Sequence, residues 1–69
     1  MKYKVDDWVI YKPFYDSEYK LLREVQNRAL ILWIYPKNDF YDYDIYIEET
    51  TKIKKVREHQ LFPETDPTY

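Results

Sequence analysis

The chain has 69 residues, a net charge of −2, no cysteine and no glycine, and its aromatics are nine Tyr, three Phe and two Trp. That length holds one domain with a small core, and the charge gives no general attraction for phosphate backbones. Disulfides, thiolate metal sites, glycine-rich phosphate loops and a glycine-framed nucleophile elbow are all excluded. No apolar run reaches membrane-spanning length, Ala29 to Tyr35 being the longest, and the opening Met-Lys-Tyr-Lys-Val-Asp-Asp lacks a signal-peptide core. These features fit a cytoplasmic protein.

In chain order, Val5 to Lys12 predicts a first strand, with Val5, Val9 and Tyr11 on one face, Trp8 and Ile10 on the other, and Pro13 ending it. Residues 14–20 predict a polar, aromatic loop, with a helical turn over Ser17 to Arg23 as the competing reading, capped by Ser17 and packed through Leu21 and Leu22. Leu22 to Val25 and Ala29 to Tyr35 read as strands around a turn at Gln26-Asn27. Ile31, Trp33 and Tyr35 alternate with Leu30, Leu32 and Ile34, so both faces are apolar and the strand is central or covered. Pro36-Lys37-Asn38-Asp39 is a turn, Asp42 to Glu48 a strand, and Glu49 to Lys52 a turn. Ile53 to Arg57 is a strand, Glu58-His59-Gln60 a 3₁₀ turn, and Leu61-Phe62 a last short strand. The expected class is all-β: a small barrel of five to six short antiparallel strands over residues 1–63, followed by a polar tail, 64–69.

The stretch Asp39 to Glu49 holds five acids, four aromatics and no base. Asp39, Asp42, Asp44, Glu48 and Glu49 can supply a row of negative charge, and Tyr41, Tyr43 and Tyr46 rigid contact area. The plain alternative is a solvated strand face. Lys52, Lys54, Lys55 and Arg57 form an opposite pole. It can pair across the sheet with Asp44 or Glu48, meet a second copy's acidic strand in a homodimer, or bind nucleic acid with Trp8, Tyr11 or Trp33 as stacking platforms. Tyr11, Tyr15 and Trp33 could also line a groove for Pro-rich peptides. His59 is the only histidine and reads as a surface residue. Ser17, His59 and an Asp are available for a triad, but nothing positions them. No catalytic residue, metal site or cofactor is expected.

The opening Lys4-Val5-Asp6-Asp7-Trp8-Val9-Ile10-Tyr11 resembles the first strand of SH3-like barrels of the KOW and photosystem-subunit type, which often begin Val-Gly-Asp-x-Val, with Asp6 in the glycine's place. The end, Lys55-Val56-Arg57-Glu58-His59-Gln60-Leu61-Phe62-Pro63, resembles their closing strand, 3₁₀ turn and short strand. The resemblance covers about residues 4–63. Small acidic SH3-like proteins of this kind occur in phages and prophages, and some phage proteins of this size inhibit a host replication protein such as the sliding clamp. The resemblance therefore implies a non-enzymatic phage protein in the host cytoplasm. It would use a DNA-mimicking acidic-aromatic surface to occlude a host protein's basic DNA-binding surface. Gln60-Leu61-Phe62 is similar to part of a clamp-binding peptide, but it reads better as core.

Overall fold

The computed structural model describes residues 2–64. Strands β1 (Trp8–Tyr11), β2 (Asn27–Ile34), β3 (Tyr43–Ile47), β4 (Lys52–Val56) and β5 (Leu61–Pro63) form one antiparallel sheet, in the order β4-β3-β2-β1-β5. A single helical turn, α1 (Lys20–Arg23), lies between β1 and β2, and a 3₁₀ turn, Glu58–Gln60, precedes β5. The expected all-β class is observed. The polar tail beyond Glu64 lies outside the described residues. Among the described residues, no helix is long and apolar enough to cross a membrane.

Two stretches fold differently from their sequence expectation. The first strand starts only at Trp8, because Lys4 to Asp7 makes a turn closed by the Asp7 amide donating to the Lys4 carbonyl, 3.0 Å. Asp6 sits there at φ 76°, in the left-handed region that glycine favours and Asp tolerates. Val5 is consequently exposed. Leu22 to Val25 is not a strand. The β1–β2 ladder ends at Tyr11 opposite Asn27, and Pro13 has no amide with which to extend it. A strand before Asn27 would have no partner, so the helix formers Lys20-Leu21-Leu22-Arg23-Glu24 take one helical turn instead. Ser17 accepts the Tyr19 amide at 3.0 Å but does not cap α1, and Leu21 and Leu22 stay exposed rather than packed.

β2 is central, as its two apolar faces required, but its alternation breaks. Ile31 pairs with Ile45, whereas Trp33 pairs with Asp44 and Ile34 with Tyr43, so Leu32 is an extra residue: a β-bulge. Beyond it the faces exchange. Ile34 packs against the core and Trp33 turns outward, which corrects the expected grouping of Trp33 with Ile31.

The core is one cluster: Tyr3, Val9, Tyr11, Ala29, Ile31, Tyr43, Ile45, Ile47, Val56 and Leu61. All five strands contribute from one face, so the sheet curls around its own side chains. Tyr43 is fully buried at its centre. Its hydroxyl donates to Glu58 Oε1 at 2.8 Å and accepts the Tyr3 amide at 3.2 Å, while the Tyr3 hydroxyl donates to the Leu61 carbonyl at 3.2 Å. The two rings meet edge to face, 5.8 Å apart. Asp42 Oδ2 accepts the Glu58 amide at 2.7 Å. Asp42, just before β3, and Tyr43, its first residue, therefore hold the N-terminal segment, the 3₁₀ turn and β5 together.

Burial and the hydrogen bond to Glu58 push the Tyr43 phenol up to about 12. The folded state prefers the neutral phenol, so this stabilisation is complete below the ordinary tyrosine value of roughly 10 and is lost as pH rises towards the folded value. Tyr43→Phe is expected to cost about 1 kcal/mol at neutral pH, by urea unfolding. The deficit should shrink or reverse at pH 11–12. Thr51 closes the β3–β4 hairpin at φ 55°, where a β-branched residue is strained. Thr51→Gly and Asp6→Gly are each expected to leave the fold intact and raise stability by up to about 1 kcal/mol, less for Asp6, measured the same way.

Candidate functional site

The acidic-aromatic stretch is divided among three environments. Pro36 to Asp39 forms the expected turn, with the Asp39 amide donating to the Pro36 carbonyl at 3.1 Å. Asp39 and the two residues that follow the turn, Phe40 and Tyr41, are exposed. Asp42 is spent on the Glu58 amide, and Tyr43 is in the core. A partner-contacting role for Tyr43 is thereby corrected: with its ring fully enclosed it offers no surface. Asp44 faces outward and accepts the Tyr35 hydroxyl at 2.7 Å, and Tyr35 in turn accepts Lys55 Nζ at 2.7 Å. The Tyr35 hydrogen bond, helped by Asp44, holds the Lys55 ammonium above the ordinary lysine range. Tyr46 is half-buried on the outer face, opposite Leu30 and Ile53.

Glu48 accepts Arg28 Nη1 at 3.2 Å rather than any base of β4. Arg28 also donates to Glu64 and lies 3.8 Å from the centre of the Trp8 ring. These carboxylates, Glu64 foremost, raise the guanidinium further above its ordinary value. Asp39 and Glu49 are the acids of the stretch whose carboxylates have neither a hydrogen-bond nor an ion-pair partner among the described residues, and they lie beyond opposite ends of β3. Geometry thus gives no single row of free carboxylates.

The basic pole is also divided. Lys52 and Lys54 sit opposite Ile47 and Ile45, on the core side of β4, yet are exposed because β4 is the margin of the sheet. Lys55 faces outward opposite Asp44, which is the cross-strand pairing the sequence suggested. Arg57 lies past the strand, its guanidinium 4.6 Å from the Phe40 ring centre. β3 is interior, between β2 and β4, so edge-to-edge pairing of the acidic strand with a second copy's basic strand is not available.

The structure assembles a different group at the Tyr43 end of β3. The bulge at Leu32 turns Trp33 outward to 58% exposure, and the turn after Pro36 presents Phe40 at 66%. Tyr41 packs edge-on against Phe40, ring centres 5.0 Å apart. Tyr35, Asp39, Phe40, Tyr41 and Lys55 line a shallow depression of about 250 Å³. Phe40 lies within the acidic stretch, outside the residues expected to make contact. Its signal was a large apolar residue directly after a turn. Trp33 could not be placed without the bulge.

Other expected groupings are not formed. Tyr11 is buried, Tyr15 packs on Phe62 and Trp33 belongs to the outer face, so the three share no groove. Trp8 is covered by Arg28 and Tyr11 is enclosed, which leaves Trp33 as the exposed member of the suggested stacking platforms. His59 is exposed, with Nε2 3.8 Å from Asp16 Oδ2. Gln60 accepts the Arg57 amide, and Leu61 is in the core. Among the described residues no group of His, Cys, Asp and Glu is arranged to hold a metal. No family model, curated protein or solved structure matches the chain.

Arg28→Ala removes the cation over Trp8 and the partner of two carboxylates, all near the surface. A small loss of stability is expected on urea unfolding, with a red shift of Trp8 emission in a Trp33→Phe background.

Proposed function

We propose that this chain is a non-enzymatic protein-binding module that recognises its partner through the aromatic end formed by Trp33, Phe40 and Tyr41. The observation that carries this reading is the exposure of all three rings, with Arg57 over Phe40, Tyr41 sharing a depression with Lys55, and Trp33 facing outward opposite Asp44. Trp, Tyr and Arg are the residues that most often dominate protein interfaces. A domain with so small a core would gain stability by enclosing such rings, so leaving them outside suits contact with another molecule.

The strand order and the 3₁₀ turn ahead of β5 support reading the curled sheet as an SH3-like barrel. On that reading the partner is a host replication or nucleic-acid-processing protein met in the bacterial cytoplasm, as for phage inhibitors of the sliding clamp. Asp39 then contributes charge at the contact, and the rings contribute most of the affinity. Asp42, Asp44 and Glu48 are occupied within the fold, so charge acts through steering more than through a phosphate-like row.

A partner captured from bacterial lysate and then titrated in pure form gives the test. Trp33→Ala with Phe40→Ala is expected to weaken binding by about thirtyfold or more, with an unchanged circular dichroism spectrum. Asp39→Lys with Glu49→Lys should mainly slow association and alter its salt dependence. If acid reversal abolishes binding and the aromatic variant does not, a charge-mimicking mode replaces this one. Salt-sensitive DNA or RNA binding that depends on Lys52, Lys54, Lys55 and Arg57 would instead favour a nucleic-acid-binding role.

A further inference from the structure

The sheet has two margins, β4 and β5. β5 is three residues long and ends in Pro63, which has no amide hydrogen to offer. β4 has five residues, no proline, and β3 as its sole strand neighbour among the described residues. One side of its backbone is therefore open to pairing. Beside that margin lies a groove of about 480 Å³, whose lining includes Tyr11, Phe14 and Val25 and, from the strand itself, Lys52, Ile53 and Lys54. Its volume is within the roughly 300–1,000 Å³ of sites that hold ligands.

The two faces of β4 specify a pattern. On the groove side, Lys52 and Lys54 have no carboxylate partner among the described residues. On the outer side, cross-strand pairing runs Trp8–Leu30–Tyr46–Ile53 and stops at Ile53, which is 65% exposed. A neighbouring strand with acidic residues opposite Lys54 and Lys52, and an apolar residue opposite Ile53, would complete both faces. The methylene stems of its acidic side chains would lie over Phe14 and Val25.

We propose that β4 and its groove take an extended acidic–apolar–acidic segment of a partner protein as a sixth strand. A second copy of the chain does not fit. Its β4 would set Lys against Lys, its β5 is short and blocked by Pro63, and its acidic β3 is interior. The groove beside Lys52 and Lys54 lies towards the Ile47 end of β3, away from Phe40, and does not depend on the reading given to the aromatic end.

The test is a titration of the isotope-labelled chain with a nine-residue peptide of alternating Glu and Ile, followed by amide shifts. Saturable shifts confined to residues 52–56, Phe14 and Val25 are expected. Peptides N-methylated at alternate residues, in both parities, keep the side chains. At least one parity removes the backbone pairing and should bind about tenfold more weakly or worse. Lys52→Glu with Lys54→Glu should reverse the preference towards a Lys/Ile peptide. The proposal fails if the Glu/Ile peptide gives no shifts, if its shifts map elsewhere, or if both N-methylated forms bind as tightly as the unmethylated peptide. It also fails if the chain alone dimerises through β4, or if an oligonucleotide shifts these amides and displaces the peptide at lower concentration than the peptide itself needs.

Discussion

The Tyr43 hydroxyl is the point on which the fold converges. A phenol at the centre of so small a core must satisfy its polar atom inside the protein, because an unpaired buried hydroxyl costs about 1–3 kcal/mol. It does so with the Glu58 carboxylate and the Tyr3 amide, which come from the two ends of the chain. The strand ladders alone join β1 to β5 and leave β4 and β5 as separate margins. The Tyr43–Glu58 bond and the neighbouring Asp42 bond bring the 3₁₀ turn against the start of β3, and so set the path from β4 to β5. In a chain without glycine or disulfides, this polar knot does part of the work that flexible turns or crosslinks perform elsewhere.

That constraint also decides what remains for recognition. With Asp42 and Tyr43 committed inward, the acidic-aromatic stretch is split between structure and surface. Asp44 and Glu48 are drawn into local contacts with Tyr35 and Arg28. The rings the stretch presents to solvent are at its start, Phe40 and Tyr41, while the tryptophan of β2, Trp33, faces outward opposite Asp44. The bulge at Leu32 supplies that tryptophan: without one extra residue, Trp33 would stay in register with Ile31 and face the core. The aromatic surface thus lies at the Tyr43 end of β3, and the groove beside Lys52 and Lys54 towards its Ile47 end.

Much of the architecture was legible from local chemistry. Val9 and Tyr11 share a face as alternation demanded, Pro36 to Asp39 turns, Glu58 to Gln60 makes the 3₁₀ turn, and Ile45 and Ile47 alternate inward behind Tyr43. The start of β1 and the fate of residues 22–25 were not legible. The first depended on Asp6 entering the left-handed region, and the second on where the β1–β2 ladder ended. Of the candidate site, the exposure of Asp39, Tyr41 and Glu49 and the Asp44–Lys55 pairing could be read. The burial of Tyr43 could be anticipated from alternation, which set it beside Ile45 and Ile47.

By itself the sequence determined the class, the strand-rich order and the absence of residues for glycine-loop or thiolate chemistry, because these follow from composition and from periods of two residues. Tertiary structure alone decided which carboxylates are spent and which rings are free. Those outcomes depend on cross-strand register, a single bulge and contacts between residues as distant in the chain as Tyr3 and Leu61. No local pattern encodes them, since a side chain's partner across a sheet is chosen by the geometry of the whole.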